Sequence, residues 1–226
     1  MPRTARVDIG REVYHILNRA NARVQIFDNE KDYFDFEKIL QEAVERFDMR
    51  LLAYCIMPNH WHLVVHPKQD KDLAKFMGWL TNTHTRRWHE TKKTTGQGHL
   101  YQGRYKSFLC QQDDHFITLV RYVERNAKKA GLCNMAQDWK WSSIWRRENG
   151  NKEQCKILSE WPVEMPSGYL ELVNQEFDKK NIETERVIDA TIEKGNPFGN
   201  SEWLKKIVKK FGLEQTLRKV GRPKKG

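Results

Sequence analysis

The sequence predicts an α+β fold in which an antiparallel sheet is backed by helices on one face. Apolar residues recur with strand and helix periods in the order strand, helix, strand, strand, helix, strand, helix. Only Pro58-Asn59 separates the second strand from the third, which favours an antiparallel hairpin. Hydrophobic residues make up 38% of the 226-residue chain, enough for one well-packed domain with an appendage.

The first four elements are predicted from local periodicity. Glu12–Asn21 alternates between apolar and polar residues, as a half-buried strand does. Lys31–Phe47 carries apolar residues at intervals of three and four, which predicts a helix. Leu51–Met57 and His60–His66 are short apolar runs on either side of the turn signal, and they form the two arms of the hairpin.

Three further elements complete the predicted order. Apolar spacing predicts a second helix over residues 72–89, and Tyr105–Gln111 forms a short strand after a glycine-rich link. Asp113–Gly131 is predicted to be one more helix. It has acids in its first turn, lysines in its last turn and a glycine at its end, which the helix dipole and the C-cap both favour.

Composition changes after Asn149 and divides the chain into two predicted parts. Residues 1–150 hold the elements described above. Residues 151–226 begin as a polar, irregular segment with one helix near Glu183–Glu193. A basic amphipathic helix over Ser201–Leu213 follows, and the chain ends in the open basic tail RKVGRPKKG.

The net charge points to a polyanionic partner. The chain carries +10, of which the segment from Trp203 to Gly226 supplies +8 through nine Lys or Arg residues and one acid. Basic segments of this density typically bind nucleic acid. The alternative is a solvated tail that aids solubility.

Cysteine spacing and hydropathy argue against several other classes of protein. The four cysteines are widely spaced and form no C-x-x-C pair, so we expect neither a zinc site nor a disulfide framework. A reducing, cytoplasmic location is therefore favoured. The first ten residues contain no apolar run, and eighteen apolar residues never run together, so we expect no signal peptide and no membrane association.

Two histidines flank a tryptophan at the start of the predicted third strand. Because side chains alternate along a strand, His60 and His62 share one face while Trp61 points to the other. Their backbones lie about 7 Å apart, close enough for two imidazoles to bind one metal ion, whereas His66 lies about 13 Å further along. A histidine-x-histidine pattern is weak by itself, and a buried structural pair is the alternative.

A tyrosine on the last predicted helix supplies the second signal. Tyr122 lies at the margin of the apolar stripe and shares a helix face with Asn126, four residues further on. A phenol is a poor nucleophile unless its target is polarised, and a divalent metal bound to a phosphate polarises it. An ordinary tyrosine at the edge of the core is the alternative.

These segments together resemble a known family. His60-Trp61-His62 is similar to the HUH signature, in which two histidines flank a bulky hydrophobic residue. With MPNHWHLVV, GHLYQGRYKSF and RYVERNAKKAGL, the chain resembles the single-tyrosine HUH transposases, most closely the REP-associated tyrosine transposases. The opening GREVYHILNRANARVQIF, the segment WKWSS and the final GRPKK also resemble that branch, so the resemblance covers nearly the whole chain.

The resemblance implies a fold, a metal and a nucleophile. The fold is a ferredoxin-like (RRM-like) antiparallel sheet with the histidine pair on a central strand. The metal, Mg²⁺ or Mn²⁺, is held by His60, His62 and a polar residue one turn beyond the tyrosine, here Asn126. The nucleophile maps onto Tyr122. It attacks a phosphodiester of single-stranded DNA and leaves a 5′-phosphotyrosyl link and a free 3′-hydroxyl.

The resemblance also implies the partners of the protein. These are single-stranded DNA with hairpin structure, in REP-like repeats, and no small-molecule cofactor. The protein is then expected to be associated with the nucleoid through DNA and to be a monomer. One departure concerns the metal site: relatives often have Asn-Pro where this chain has Asn126-Ala127, and alanine lets the helix continue.

Basic residues interleaved with aromatic ones are predicted to bind the DNA, because such mixtures suit single strands. The basic residues are Arg19, Arg86, Arg87, Arg104 and Lys106, and they alternate with Trp88, Tyr101 and Tyr105, for which a place in the core is the alternative. In the tail, Arg222 and Lys224 belong to GRPKK, which resembles an AT-hook core that inserts arginine into a narrow minor groove. A tail that binds phosphates without sequence preference is the alternative.

Two other functions compete with strand transfer. A catalytically idle DNA- or RNA-binding module of the same fold would lack His60, His62 or Tyr122, and all three are present. A hydrolytic metalloenzyme would use the histidine pair with a carboxylate, but no H-E-x-x-H motif supports it. The sequence shows no evident general base for the tyrosine.

Overall fold

A four-stranded antiparallel sheet organises the protein. The computed structural model describes residues 7–176 and 179–217. The strands are β1 (Val13–Arg19), β2 (Arg50–Met57), β3 (His60–His66) and β4 (Lys106–Cys110), and their order across the sheet is β2-β3-β1-β4. Together with one helix after β1 and one after β3, this is the ferredoxin-like arrangement, so the predicted fold class is confirmed.

Helices α1 (Glu30–Arg46) and α2 (Asp72–Lys92) cover one face of the sheet. The Asn29 side chain starts α1 by accepting a hydrogen bond from the backbone N–H of Asp32. Trp61, Leu63 and Val65 point from β3 into this core and are fully buried. The tryptophan therefore fixes β3 from the side of the sheet that faces away from the two histidines.

A second group of helices covers the opposite face, which the sequence reading missed. Helix α3 (Asp114–Glu124) packs Phe116 and Val120 against Cys55 and Val64 of the sheet. The prediction of helices on one face only was therefore wrong. An antiparallel sheet can leave one face to solvent, but the residues on this face, including Cys55 and Val64, are apolar and need cover.

The predicted helix over residues 113–131 is broken at Arg125. Arg125 has φ −89° and ψ 1°, outside the helical region, and a short helix α4 (Asn126–Lys129) follows it. Arg125 is almost fully buried and donates a hydrogen bond to the carbonyl of Gln175. A proline is thus not needed to interrupt this helix, and Asn126 begins the new turn rather than continuing the old one.

A buried carboxylate holds α3 to its neighbours. Glu124 is fully buried and accepts hydrogen bonds from the Ser143 hydroxyl at 2.5 Å and the Tyr169 hydroxyl at 2.7 Å. Arg147 pairs with the same carboxylate at 2.5 Å. Because a buried charge is costly unless it is paired and hydrogen-bonded, this network fixes the end of the helix that carries Tyr122.

Residues after position 150 contribute to the same core. Helices α5 (Ser143–Asn149) and α6 (Lys152–Cys155) lie on either side of the predicted boundary. Helices α7 (Tyr169–Asn174) and α8 (Lys179–Lys194) add buried apolar residues to the α3 face of the sheet. Among its described residues, the segment predicted to be mostly irregular thus forms α6, α7 and α8, and α8 extends beyond the predicted Glu183–Glu193.

The predicted basic amphipathic helix is observed as α9 (Ser201–Phe211). Ile207 and Val208 are buried in the α1 face core, whereas Lys205, Lys206, Lys209 and Lys210 are exposed. The predicted tail from residue 218 onwards lies outside the described residues. Within the described ranges, no helix has the length and apolar character needed to span a bilayer.

Candidate active site

One cleft brings together the four residues predicted for metal binding and nucleophilic attack. His60, His62, Tyr122 and Asn126 all line an open cleft of about 690 Å³. Strands β1 and β3 form its floor, helices α3 and α4 form one wall, and α8 and the segment 102–104 form its rim. Residues separated by 66 positions in the sequence thus face one space.

The histidine pair has the geometry expected from strand alternation. The ring centroids of His60 and His62 are 5.2 Å apart, and the rings are tilted by 72°. Trp61 points to the other face and is fully buried. His66 lies at the far end of β3, where its Nδ1 is 2.8 Å from the Arg50 guanidinium, so it is separate from this pair as predicted.

The Nδ1 atoms of both histidines are occupied, which leaves Nε2 of each ring for the cleft. His62 Nδ1 lies 2.9 Å from Nε2 of the buried His15, and His60 Nδ1 lies 2.6 Å from the Asn59 side-chain oxygen. Within the part of the chain that the structure describes, neither Nε2 has a hydrogen-bond partner. Partners of this kind fix the orientation of metal-binding imidazoles.

Burial and neighbouring positive charge keep the imidazoles neutral. Burial, with a smaller effect of Arg19, lowers the pKa of His60 to about 4. Burial is also the largest cause of the strongly lowered pKa of His62, to which His15, His60, Arg19 and Lys129 add. A neutral imidazole has the free lone pair that a metal requires, so both rings are in their ligating form near neutral pH.

The donor set fits a divalent metal ion with open coordination positions. Two neutral imidazoles and the amide oxygen of Asn126 form an incomplete set that leaves room for phosphate oxygens and water. Among the described residues, no group of three or more His, Cys, Asp or Glu side chains is placed to hold a metal. A metal site in this cleft would therefore depend on His60, His62 and the amide oxygen of Asn126.

Tyr122 is held in the cleft by contacts to its hydroxyl and its ring. The hydroxyl donates a hydrogen bond of 2.7 Å to Oδ1 of Asp189 on α8. The edge of the ring meets His62 at a centroid distance of 5.8 Å, and the Lys129 ammonium lies 5.6 Å from the ring centroid. Burial, followed by the bond to Asp189 and the charges of Asp189 and Glu185, raises the pKa of Tyr122, so the phenol is protonated at neutral pH.

Asn126 is tied to the tyrosine. Its side-chain Nδ2 donates to the backbone carbonyl of Tyr122 at 3.0 Å. The amide nitrogen is thereby turned towards α3, and the amide oxygen is the remaining donor atom for a metal. Although the helix is broken at Arg125, Asn126 still lines the cleft with the histidine pair.

The basic residues predicted to bind DNA lie in different places. Arg19, Arg104 and Lys106 line the cleft, although Lys106 also pairs with Glu193 of α8 at 2.6 Å. Arg86 is exposed on α2 and does not line the cleft. Arg87 makes two hydrogen bonds to Glu42, so it links α2 to α1. The last two predicted residues, Arg222 and Lys224, lie outside the described residues.

The aromatic residues near these arginines belong mainly to the core. Tyr101 is buried, and its hydroxyl accepts a hydrogen bond from Trp61 at 3.0 Å. Trp88 is partly buried and donates to the carbonyl of Ile26 at 2.8 Å. Tyr105 is half-buried and packs against the same core. The core alternative is therefore the correct one for Tyr101, and its proximity in sequence to Arg104 is incidental.

Three residues that contact the predicted site residues were missed by sequence reasoning. His15 supports His62 from β1, Lys129 lies over the tyrosine ring, and Asp189 binds its hydroxyl. His15 carried a usable signal, because strand alternation places it on the opposite face from the buried Tyr14 and Ile16. Asp189 carried none, since it is 67 residues from Tyr122 and only the tertiary fold brings them together.

Comparison with known proteins defines the class of this fold and cleft. Residues 10–126, more than half of the chain, match the family of IS200-like transposases. The chain belongs to that family. The matched segment begins just before β1 and ends at Asn126, so it contains the whole sheet, the histidine pair and Tyr122.

Within that family, the chain is similar to REP-associated tyrosine transposases. A Haemophilus influenzae protein described in those words is 24% identical over 124 residues, which are 51% of this chain and 70% of that protein. The solved structure of a REP-associated tyrosine transposase bound to a REP hairpin shares the fold. It has a TM-score of 0.55 and 15% identity, and the match covers 79% of this chain and all of that one. The resemblance found in the sequence is thereby confirmed.

Proposed function

We propose that this transposase cleaves and rejoins single-stranded DNA beside hairpins in repeated sequences, with Tyr122 as the nucleophile. The observation that carries the proposal is the meeting of His60, His62, Tyr122 and Asn126 in one open cleft. The hairpin substrate is suggested by the related transposase that was solved with a REP hairpin.

The residues of the cleft have separate roles in this reaction. His60, His62 and Asn126 would hold Mg²⁺ or Mn²⁺, and the bound ion would supply Lewis-acid polarisation of the scissile phosphate. Tyr122 attacks the phosphorus atom and becomes bonded to the 5′ phosphate of the downstream strand. The 3′ oxygen of the upstream strand is the leaving group. Arg19 and Arg104 line the cleft and attract the DNA backbone.

A binding module without chemistry is the second candidate, and the Tyr122 hydroxyl argues against it. Binding alone would not require a phenol placed beside the His62 ring in a cleft that His60 also lines.

The proposal is tested with an oligonucleotide that carries a hairpin and a single-stranded flank. The oligonucleotide is labelled at its 5′ end in one sample and at its 3′ end in another, then incubated with enzyme and Mn²⁺. On a denaturing gel, the 3′ label should travel with the protein, and the 5′ label should run as a shorter free strand. An adduct that carries the 5′ label, or no adduct with either label, would contradict the assignment.

A further inference from the structure

The Tyr122 hydroxyl is hydrogen-bonded to a side chain of α8, a helix that lies outside the segment 10–126 matched by the family. Asp189 lies on α8, and its Oδ1 accepts a hydrogen bond of 2.7 Å from the Tyr122 hydroxyl. A general base must lie within hydrogen-bonding reach of the proton that it removes, about 2.6–3.2 Å between heavy atoms. The contact satisfies that requirement before any substrate is bound.

The surroundings of Asp189 orient its carboxylate towards the tyrosine. Its second oxygen, Oδ2, lies 3.8 Å from the Lys129 ammonium, which also pairs with Glu185 at 2.9 Å. Lys129 itself lies over the Tyr122 ring. Lys129 on α4 therefore contacts both Tyr122 and Asp189, the two partners of the hydrogen bond, and helps to position them.

Exposure gives the carboxylate a route to solvent. The Asp189 side chain is 53% exposed, whereas Tyr122 is buried. A proton received from the buried phenol can thus pass on to water at the rim of the cleft. The other titratable groups that face the phenol among the described residues are His15, His62, Lys129 and Glu185, and the Asn126 amide also lies beside it.

We propose that Asp189 is a catalytic residue that accepts the Tyr122 proton during strand cleavage; this rests on the proposed function above. As the Tyr122 oxygen bonds to phosphorus, its proton moves to Asp189 Oδ1. The bond from phosphorus to the 3′ oxygen breaks, and that oxygen leaves with the electron pair and takes a proton from water. In rejoining, the 3′-hydroxyl attacks phosphorus and its proton passes to water. The bond from phosphorus to the Tyr122 oxygen breaks, and that oxygen takes a proton that Asp189 has regained from water.

The test compares Asp189→Asn, Asp189→Glu and Glu183→Gln in single-turnover cleavage of the hairpin oligonucleotide with Mn²⁺. Glu183 is the matched control, because it lies on the same helix, is exposed and pairs with Arg186. Asp189→Asn should cleave about 100-fold or more slowly, within the usual range for loss of a general base. Asp189→Glu should recover a large part of that loss, and Glu183→Gln should match the wild type.

Two further measurements separate proton acceptance from a structural role. DNA affinity and melting temperature of Asp189→Asn should stay near the wild type, because the side chain is half exposed. The cleavage rate of this variant should rise about tenfold per pH unit between pH 6 and 9, since hydroxide must then supply the base. The wild-type rate should change much less over that range, because its base is part of the protein.

The outcomes that overturn the proposal are distinct from failure of the proposed function. If the wild type forms the adduct and Asp189→Asn forms it equally fast or faster, Asp189 is not the base, and a faster rate shows that it restrains the tyrosine. If Asp189→Glu is as slow as Asp189→Asn with an unchanged pH profile, the role is structural. If the wild type itself forms no adduct, the proposed function fails and this proposal fails with it.

Discussion

Two clusters of histidine and tyrosine lie on opposite faces of the same sheet, and they differ in what their polar atoms contact. On the α1 face, the Tyr101 hydroxyl lies between Trp61 Nε1 at 3.0 Å and His84 Nδ1 at 2.5 Å. On the α3 face, the Tyr122 hydroxyl meets a half-exposed carboxylate in an open cleft.

Burial alone does not distinguish the two clusters. Tyr101 and Tyr122 are both buried, and burial raises the pKa of both hydroxyls. It also lowers the pKa of His84 to about 3 and that of His60 to about 4. The difference is that the α3 face presents two imidazoles side by side to a shared space. A perturbed histidine is therefore weak evidence of function until its neighbours and its access are known.

The largest expected effect separates the two tyrosines. Tyr122→Phe should reduce adduct formation at least about 1,000-fold, because the nucleophilic oxygen is gone, while DNA affinity stays near the wild type. Tyr101→Phe should keep cleavage and lower the free energy of unfolding by about 1–3 kcal/mol, since Trp61 and His84 lose a buried partner. Gel assays and urea unfolding of both variants check this. If Tyr122→Phe cleaved DNA at the wild-type rate, the assignment of Tyr122 as the nucleophile would be refuted.

The next effect separates the histidines. His60→Ala and His62→Ala should each lower cleavage about 100-fold, as should EDTA with the wild type, because one imidazole and an amide bind a divalent ion poorly. His84→Phe should cleave normally. Melting curves with and without Mn²⁺ provide a second reading: the ion should raise the melting temperature of the wild type and of His84→Phe, but not that of His60→Ala. A shift that survives in His60→Ala would place the metal elsewhere.

A moderate effect is expected in acid. Because burial lowers the pKa of His84 to about 3, the unfolded chain binds a proton there below about pH 6.5 that the folded chain does not. Stability should therefore fall as the pH falls from 6.5, by about 1.4 kcal/mol per pH unit for this one group. His84→Phe should show a shallower fall in urea unfolding at pH 7, 6 and 5. Equal slopes in both proteins would show that folded His84 accepts the proton.

The smallest effect is expected at the third histidine of β3. His66 contacts Arg50 at the far end of the strand, away from the cleft. His66→Ala should therefore change cleavage less than about threefold and leave the Mn²⁺ shift in melting temperature intact. Loss of cleavage comparable to that of His62→Ala would mean that the site extends along the whole strand.

Much of this site could be predicted because it follows from local periodicity. The alternation of β3 places His60 and His62 together. The spacing of four residues predicts that Tyr122 and Asn126 face one side, and both line the cleft although the helix breaks at Arg125 between them. The order of elements likewise predicts the sheet. Nothing local predicts how a second layer of helices closes over the α3 face, because that depends on contacts between distant segments.

The contacts of Asp189 and Arg87 show this limit from two sides. Asp189 was missed because α8 reaches Tyr122 only in the folded chain. Arg87 was assigned to DNA because it lies in a basic stretch, yet Glu42 on another helix takes its guanidinium. In both cases the partner is far away in sequence, and charge patterns along the chain contain no information about it.

The alternation along β3 also protects the site against mispairing. If β3 slipped by one residue against β1 and β2, Trp61 would turn towards the cleft, and His60 and His62 would enter the core beside Phe36. Such a slip would expose a large aromatic ring and bury two imidazoles without partners, so it would be penalised on both faces at once. A chain that has folded with Trp61 in the core has therefore also set the histidine pair.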